Sequence, residues 1–396
     1  MTSSDSQSLA RTLAFSPAEY RRRWEATQAA VDAAPFEALL TTGLGNICWV
    51  SGFQTLASYS FALYALLVHP GRPPLLVSSD FESHNASLDS WVEDVRTYGV
   101  MADPVNAIAG VLRERGLGSG VIGIETGYGA QTIGQLARLQ ALLPSARFVP
   151  ADGTIERLRA VKSSEELDAL REAARISSIG MRAALDAVTP GGTDNNVAAA
   201  AMAAVVGAGG EHFAIVPIVT SGRRSGIPHT TFRRRRLERG DPLFIEVCAT
   251  YQRYSSPMLR TASIGEPSTK IRRAFDACRA SVETLIAEVG PGIPARVVAK
   301  KAGAAMRAIE PSLLWHGYYG GSNGLSFSPT YSDGGAVEIT EESDEVLVAG
   351  MTFHASTSLR QLGEFGVTVG ETIAVTESGC EVLTALPREL HVVNVD

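Results

Sequence analysis

Short apolar runs alternate with longer amphipathic stretches through the first part of the chain. The spacing of apolar residues predicts helices over 104–115 and 132–143, and Ser16 before Pro17 is typical of the start of a first helix. The runs that predict strands are 38–42, 47–50, 64–68, 75–77 and 121–125. Such an alternation indicates an α/β layer.

The pattern changes near residue 160, where a charged helical stretch begins. Ser163 or Ser164 is placed to cap a long helix, so we predict two domains, 1–160 and 161–396. The second domain is predicted to contain helices over 164–188 and 193–208, strands near 213–219 and 243–249, and a helix pair over 269–309. Short strands near 325, 352 and 373 are expected to complete it.

Composition and charge narrow the function classes. A length of 396 residues favours two domains, and a net charge of −7 offers no broad basic surface for nucleic acid. The longest apolar run, 61–68, is far shorter than the roughly 20 residues of a membrane span. The four cysteines lack any CxxC spacing, which fits a reducing cytoplasm. We expect a cytoplasmic protein with a small-molecule substrate and a frayed segment over 1–14.

A single carboxylate lies within the apolar strand predicted near 243–249. Glu246 is flanked by Ile245 and Val247, and burying a carboxylate is costly unless it is paired or used in chemistry. His229 lies in the preceding loop and would complete a pair of nucleophile and base. A structural ion pair of Glu246 with Arg253 or Arg260 is the alternative.

Several short motifs, in order along nearly the whole chain, carry a resemblance to a known superfamily. They are NICWVSGF at 46–53, the helix entry at 162–166, Gly-Asp at 240–241, Arg-Thr at 260–261 and GMTF at 350–353. Their order resembles the creatinase and methionine aminopeptidase superfamily. The resemblance implies an α/β fold class with an N-terminal creatinase-type domain, a C-terminal pita-bread catalytic domain, and a homodimer.

Metal-dependent members of that superfamily hold two divalent ions with two Asp, one His and two Glu. The resemblance puts Glu246, Pro257, Gly321, Ser356 and Glu371 at these five positions. Pro, Gly and Ser side chains leave too few ligands for such a site. We therefore expect no metal and no other cofactor, which disfavours a metal-dependent peptidase.

A narrower likeness points to the metal-free branch. The string YQRYSSPMLRT at 251–261, with GMTFH at 350–354, resembles the ectoine hydrolase family, which opens a cyclic amidine. That resemblance implies that Glu246 is the nucleophile and that His229 is the general acid and base. The segments at 328–331 and 355–365 depart from the family pattern, so the substrate stays open among cyclic and guanidino compounds.

Six further residues are predicted to bind the substrate, each with a structural alternative. His354 faces either the predicted pocket or a sheet-edge hydrogen bond, Trp49 lines a partner's pocket or belongs to a core, and only one of Arg253 and Tyr254 can face the pocket. The predicted set is Glu371, His354, Tyr254, Arg253, Ser356 and Trp49. Two other functions stay open: a creatinase-like amidinohydrolase, and a catalytically silent pita-bread binding protein.

Overall fold

The structure is a computed structural model that describes residues 11–57, 62–127, 129–308, 313–315 and 317–395. The chain divides into two compact units, Met1–Arg159 and Ala160–Asp396. Ten of the fourteen residues predicted to be frayed lie outside the described ranges. No helix in the described ranges combines the length and apolar character needed to cross a bilayer.

The first unit is built on one mixed sheet with strand order β4-β3-β2-β1-β5-β6. Strand β2 runs antiparallel to β1 and β3, and the other neighbours are parallel. Its elements are α1 (Pro17–Asp32), β1 (Ala38–Thr41), α2 (Leu44–Ser51), β2 (Ala65–Val68), β3 (Leu75–Ser79), α3 (Ser83–Asp89), β4 (Asp94–Tyr98), α4 (Pro104–Glu114), β5 (Val121–Ile124), α5 (Ile133–Leu142), β6 (Arg147–Pro150) and α6 (Glu156–Ala160), whose last residue belongs to the second unit.

Two local predictions in this unit had different outcomes. Helix α1 is capped by Ser16, whose hydroxyl accepts a hydrogen bond from the Glu19 backbone N–H, and Pro17 occupies the first turn as predicted. The predicted strand over 47–50 is wrong, because these residues lie in helix α2. This helix ends at Gly52, whose φ of +82° suits glycine, and a short apolar run alone does not distinguish a buried helix from a strand.

The second unit combines a mostly antiparallel sheet with four long helices. The strand order is β11-β10-β12-β13-β9-β8-β7, with β14 paired to β13 and β15 to β9. The elements are α7 (Ser164–Asp186), α8 (Asp194–Gly207), β7 (Ile218–Ser221), β8 (Pro242–Tyr251), β9 (Tyr254–Ile264), α9 (Thr269–Glu288), α10 (Ala295–Arg307), β10 (Tyr318–Ser322), β11 (Glu338–Thr340), β12 (Thr352–Gln361), β13 (Phe365–Thr376), β14 (Gly379–Val382) and β15 (His391–Val393).

The helices pack against one face of this sheet. Ile245 and Val247 of β8 share a core cluster with residues of α7 and α8, and Phe353 of β12 shares one with residues of α9 and α10. Side chains alternate between the faces of a strand, so the even-numbered residues of β8 and β12 lie on the other face. Glu246 is one of these residues, and we call this side of the sheet the Glu246 face.

The last strands are longer than the sequence indicated. Strand β12 has 10 residues and β13 has 12, whereas short strands were predicted near 352 and 373. The strand predicted near 325 lies slightly earlier, as β10, and Leu325 forms an isolated bridge with Tyr254. The Ser163 cap of α7 is present with its full capping box, in which Glu166 accepts a hydrogen bond from the Ser163 backbone N–H.

Candidate active site

Glu246 lies in the middle of β8, opposite Ile218 of β7 and Leu259 of β9. Its side chain is only 6% exposed, and its Oε1 atom has no hydrogen-bond partner among the described residues. Burial raises the pKa of Glu246 to about 7, although the positive charge of Arg360 acts in the opposite direction. A buried carboxylate with an unsatisfied oxygen is costly, which marks this position as a candidate for chemistry.

The strand register places four of the five predicted superfamily metal positions on the Glu246 face. The fifth position on that face is Gly370 and not Glu371, which was predicted there. Gly370 of β13 lies opposite both Leu259 and Ser356, so Gly370 shares the face of Glu246 and its neighbour Glu371 does not. The residues at the five positions are Glu246, Pro257, Gly321, Ser356 and Gly370. Only one of them carries a carboxylate.

This donor set does not fit a divalent metal ion. A protein site for two divalent ions needs several side-chain ligands, such as carboxylates and imidazoles. Within the described ranges, no group of three His, Cys, Asp or Glu side chains lies close enough to hold one. The side chains around Glu246 therefore do not provide the paired-metal site of the superfamily.

Glu371 was predicted to bind the substrate, and the structure corrects that prediction. The carboxylate is fully buried on the helix-facing side of β13. It accepts hydrogen bonds from Arg260 at 2.7 Å, from Arg388 at 2.9 Å, and from the Thr384 hydroxyl. Glu371 therefore serves a buried ion-pair network on the opposite side of the sheet from Glu246.

His354 and Tyr331 form a contact on the Glu246 face. The Nδ1 atom of His354 lies 3.2 Å from the Tyr331 hydroxyl, and the two rings meet edge to face with centroids 5.1 Å apart. His354 Nε2 would lie 3.1 Å from a Cβ atom added at Gly370, so the glycine makes room for the imidazole. Burial and the charge of Glu246 raise the pKa of Tyr331 well above its usual value. His354 thus shares a face of the sheet with Glu246, and its role in substrate binding stays a prediction.

Arg360 follows at the end of β12, on the same face. Its guanidinium carbon lies 4.3 Å above the ring of Phe244, and its Nη1 donates to the Ser358 hydroxyl at 2.6 Å. The pKa of Arg360 is lowered by burial and raised in part by Glu246. Sequence reasoning missed Arg360, although the alternation of His354, Ser356, Ser358 and Arg360 along β12 would have revealed it.

His229 is exposed in a turn between β7 and β8. Its φ of +53° is uncommon for a residue other than glycine. Two residues later, the Thr231 hydroxyl connects the loop to β7, because it accepts a hydrogen bond from the Val219 backbone N–H at 3.3 Å and donates one to the Pro217 carbonyl at 2.6 Å. Among the described contacts no hydrogen bond or ion pair joins His229 to Glu246, so the catalytic pairing of these two residues stays a prediction.

Tyr254 lies on the helix-facing side of the sheet, which corrects its predicted role, and Trp49 is buried within the first unit. Tyr254 points toward α7 and donates to Glu166 Oε1 at 2.5 Å, with its side chain 1% exposed. Trp49 belongs to the core of the first unit, fully buried, with the Arg23 guanidinium 5.3 Å from its ring. Neither side chain is accessible to a substrate in this chain.

The last two predicted residues are divided between the hairpin turn and the Glu246 face. Arg253, with φ of +67°, forms the β8–β9 turn and stacks on Phe327 at 4.5 Å, which does not place it beside Glu246. Ser356 lies on the Glu246 face opposite Gly370. The structure thus groups Glu246, His354 and Ser356, and adds Tyr331 and Arg360.

The comparisons with known proteins agree on one family. Residues 168–377 match Metallopeptidase family M24, and residues 23–161 match the Creatinase/Prolidase N-terminal domain. Ectoine hydrolase from Halomonas elongata is 26% identical, covering 96% of this chain and 99% of that protein. The Xaa-Pro dipeptidase of Pyrococcus horikoshii is 27% identical, covering 91% of this chain and 96% of that protein. Among solved structures, dipeptidase PepE from Mycobacterium ulcerans superposes with a TM-score of 0.82 at 26% identity. The match covers 98% of this chain and 100% of that chain. The predicted fold class is confirmed.

Proposed function

The chain belongs to Metallopeptidase family M24, and we infer that it hydrolyses a C–N bond of a small amidine or cyclic amino-acid derivative without a metal ion. One observation carries the proposal. Of the five superfamily metal positions on the Glu246 face, only Glu246 has an ionisable side chain, and that side chain is buried. The 26% identity to ectoine hydrolase supports a substrate of this class.

The environment of Glu246 suits a cationic electrophile. A carboxylate is a weak nucleophile, but an amidinium group is positively charged and its central carbon is electrophilic. In a poorly solvated site the attraction between the two charges positions the reacting atoms and offsets the cost of ionising Glu246. Binding of the cation is therefore expected to favour the ionised, reactive form of the carboxylate.

The proposed reaction has two steps. An oxygen of Glu246 bonds to the amidinium carbon, and protonation of one nitrogen then breaks its C–N bond and releases the amine end. Water next attacks the carbon held on Glu246, which restores the carboxylate and leaves an amide. The sum is amidine plus water giving one amide and one amine. His229 is proposed to supply the proton in the first step and to accept one from water in the second.

His354 with Tyr331 provides a second group able to move protons. Both lie on the Glu246 face, and the charge of Glu246 influences the pKa of Tyr331. The imidazole is held by the neighbouring phenol, as a proton-transfer group needs to be. Replacement of His229 and of His354 in separate variants tells which imidazole the reaction uses.

Two functions compete with this proposal. The Pyrococcus Xaa-Pro dipeptidase is as similar in sequence as ectoine hydrolase, which favours a peptidase acting on Xaa-Pro dipeptides. The segments at 328–331 and 355–365 leave a creatinase-like amidinohydrolase as the other. The creatinase-like function differs from the proposal in its substrate, and the peptidase differs in both its substrate and its response to metal ions.

The test offers ectoine, creatine and glycyl-proline to the protein with EDTA, without it, and with added Mn²⁺. We expect consumption of the amidine ectoine at a rate that EDTA does not slow, whereas consumption of creatine would favour the creatinase-like function. Glu246→Gln should reduce turnover by a factor of roughly 10³ or more, while the exposed Glu377→Gln control keeps it. Mn²⁺-dependent hydrolysis of glycyl-proline, or turnover that survives in Glu246→Gln, would refute the proposal.

A further inference from the structure

Arg360 has one edge of its guanidinium group without a partner. Its Nη1 atom donates to Ser358, but its Nε atom is buried and has no hydrogen-bond partner among the described residues. No carboxylate of the described chain lies within ion-pair distance of the group. Nε and Nη2 together form the fork that binds a carboxylate through two parallel hydrogen bonds, so this edge is available for a ligand.

Arg360 is also held firmly in place. Phe244 supports the flat face of the guanidinium at 4.3 Å, and the backbone of Arg360 exchanges hydrogen bonds with Leu314 at 2.7 and 3.1 Å. Gly366 lies opposite, where an added Cβ would come within 3.2 Å of the Arg360 stem. A pre-positioned fork loses little side-chain entropy when it binds an anion.

The spacing between Arg360 and Glu246 fits an amino-acid-sized molecule. Phe244, on which Arg360 stacks, precedes Glu246 by two residues on the same face of β8, a separation of roughly 7 Å along the strand. The two charges influence each other without forming an ion pair. A ligand that carries a cation and an anion a few bonds apart would satisfy both groups.

We propose that Arg360 is the subsite for the substrate carboxylate, which it binds through Nε and Nη2 while the electrophilic carbon lies against Glu246. This assignment rests on the proposed function, because the reacting end of the substrate is taken to meet Glu246. It restricts the substrate class to zwitterions such as amidino or guanidino acids. A peptide C-terminus carries the same carboxylate, so the test must separate the two sources.

Binding is measured by calorimetry in the Glu246→Gln background, where turnover does not interfere. The probes are ectoine, creatine and glycyl-proline, each compared with its own carboxamide. We expect ectoine or creatine to bind roughly 10–100-fold more tightly than its own carboxamide, because one charged hydrogen-bonded pair contributes about that factor to the affinity. Arg360→Gln should bring that ratio close to one, and Arg360→Lys should leave an intermediate ratio because its ammonium lacks the fork.

The exposed Arg279→Gln variant is the matched control and should keep the full ratio. An Arg360 that only tuned Glu246 would shift the pH profile of the active enzyme and leave the ratio between acid and amide unchanged. An unchanged ratio in both Arg360 variants, or failure of every acid to bind, would overturn the assignment. Preference for glycyl-proline would assign the carboxylate to a peptide. Loss of turnover alone concerns the proposed function, because the binding ratio is measured without chemistry.

Discussion

At the scale of single residues, Glu246 and Glu371 show how a one-residue difference decides a role. Both are carboxylates within apolar strands, and both were predicted at the site. Because side chains alternate along a strand, Gly370 takes the position on the Glu246 face, and Glu371 points to the helices. The former lies in a site with an unsatisfied oxygen, and the latter in a satisfied network.

The first prediction concerns the stability cost of Glu246. Its pKa of about 7 in the folded protein lies above the usual 4.5, so ionisation opposes folding as the pH rises from about 4.5 to 7. We expect Glu246→Gln to raise the free energy of unfolding by about 3 kcal/mol at pH 8.5 and by less than about 1 kcal/mol at pH 5. Urea unfolding at both values measures this, with Glu377→Gln as the control. An equal effect at the two pH values would contradict the assignment.

The second prediction concerns the pH dependence of turnover. A nucleophilic Glu246 must be ionised, so kcat/KM should rise with pH around 7 and level off above it. The rise in kcat should occur at a lower pH than the rise in kcat/KM, because a bound cationic substrate favours the ionised carboxylate. Initial rates from pH 5.5 to 8.5 give both profiles. An activity that falls over this range would argue that Glu246 acts as an acid.

At the scale of elements, the Arg260–Glu371 pair links β9 and β13 beneath the sheet. Both side chains are at most 1% exposed, and Arg260 also donates to the carbonyls of Gly370, Leu386 and Pro387. The pair therefore holds the C-terminal segment against the strands that carry the site. Its contribution is to stability, and removal of one partner leaves a buried charge uncompensated.

The third prediction follows from that arrangement. Glu371→Gln should lower the free energy of unfolding by about 3–5 kcal/mol, while KM below the unfolding temperature stays unchanged. The double variant Arg260→Met with Glu371→Leu should recover much of the loss, because neither fully buried charge remains and the partly exposed Arg388 can be solvated. Thermal unfolding and steady-state kinetics test this. A raised KM at full stability would restore Glu371 as a substrate-binding residue.

Local signals predicted the helices better than the strand details. The Ser16 and Ser163 caps fix two helix starts because their bonding partners lie three residues away. The pairing of β12 with β13 depends on contacts across the sheet, and the position of Tyr331 depends on an irregular loop with no periodicity. Sequence patterns carry no information about such a loop, so Tyr331 escaped prediction, whereas alternation along β12 already contained Arg360.

At the scale of the whole molecule, the order of elements was predictable because each unit is a continuous stretch of chain. The first unit alternates strands and helices, and the second pairs long helices with an antiparallel sheet. The superfamily resemblance supplied the fold class, which the comparisons confirm. The homodimer stays a prediction, and size-exclusion chromatography with light scattering tests it.

The last prediction concerns metal ions and the molecule as a whole. A ligand that binds the folded state alone stabilises it by RT ln(1 + [L]/Kd), so a tight metal site would raise the unfolding temperature. With Glu246 as the one carboxylate at the five superfamily positions, we expect 1 mM Mn²⁺ or Zn²⁺ to leave that temperature and the turnover rate unchanged, and EDTA to do the same. Elemental analysis of the purified protein should find less than about 0.1 equivalent of either metal, as expected from the affinity of so few ligands. Glu246→Gln is the control, because any metal-induced shift that arises at this site should disappear in it. A metal-induced rise in unfolding temperature that disappears in Glu246→Gln, together with a stoichiometric metal in the purified protein, would contradict this prediction. It would show that the Glu246 face binds a metal through ligands that the described side chains do not supply, as in the metal-dependent members of the family.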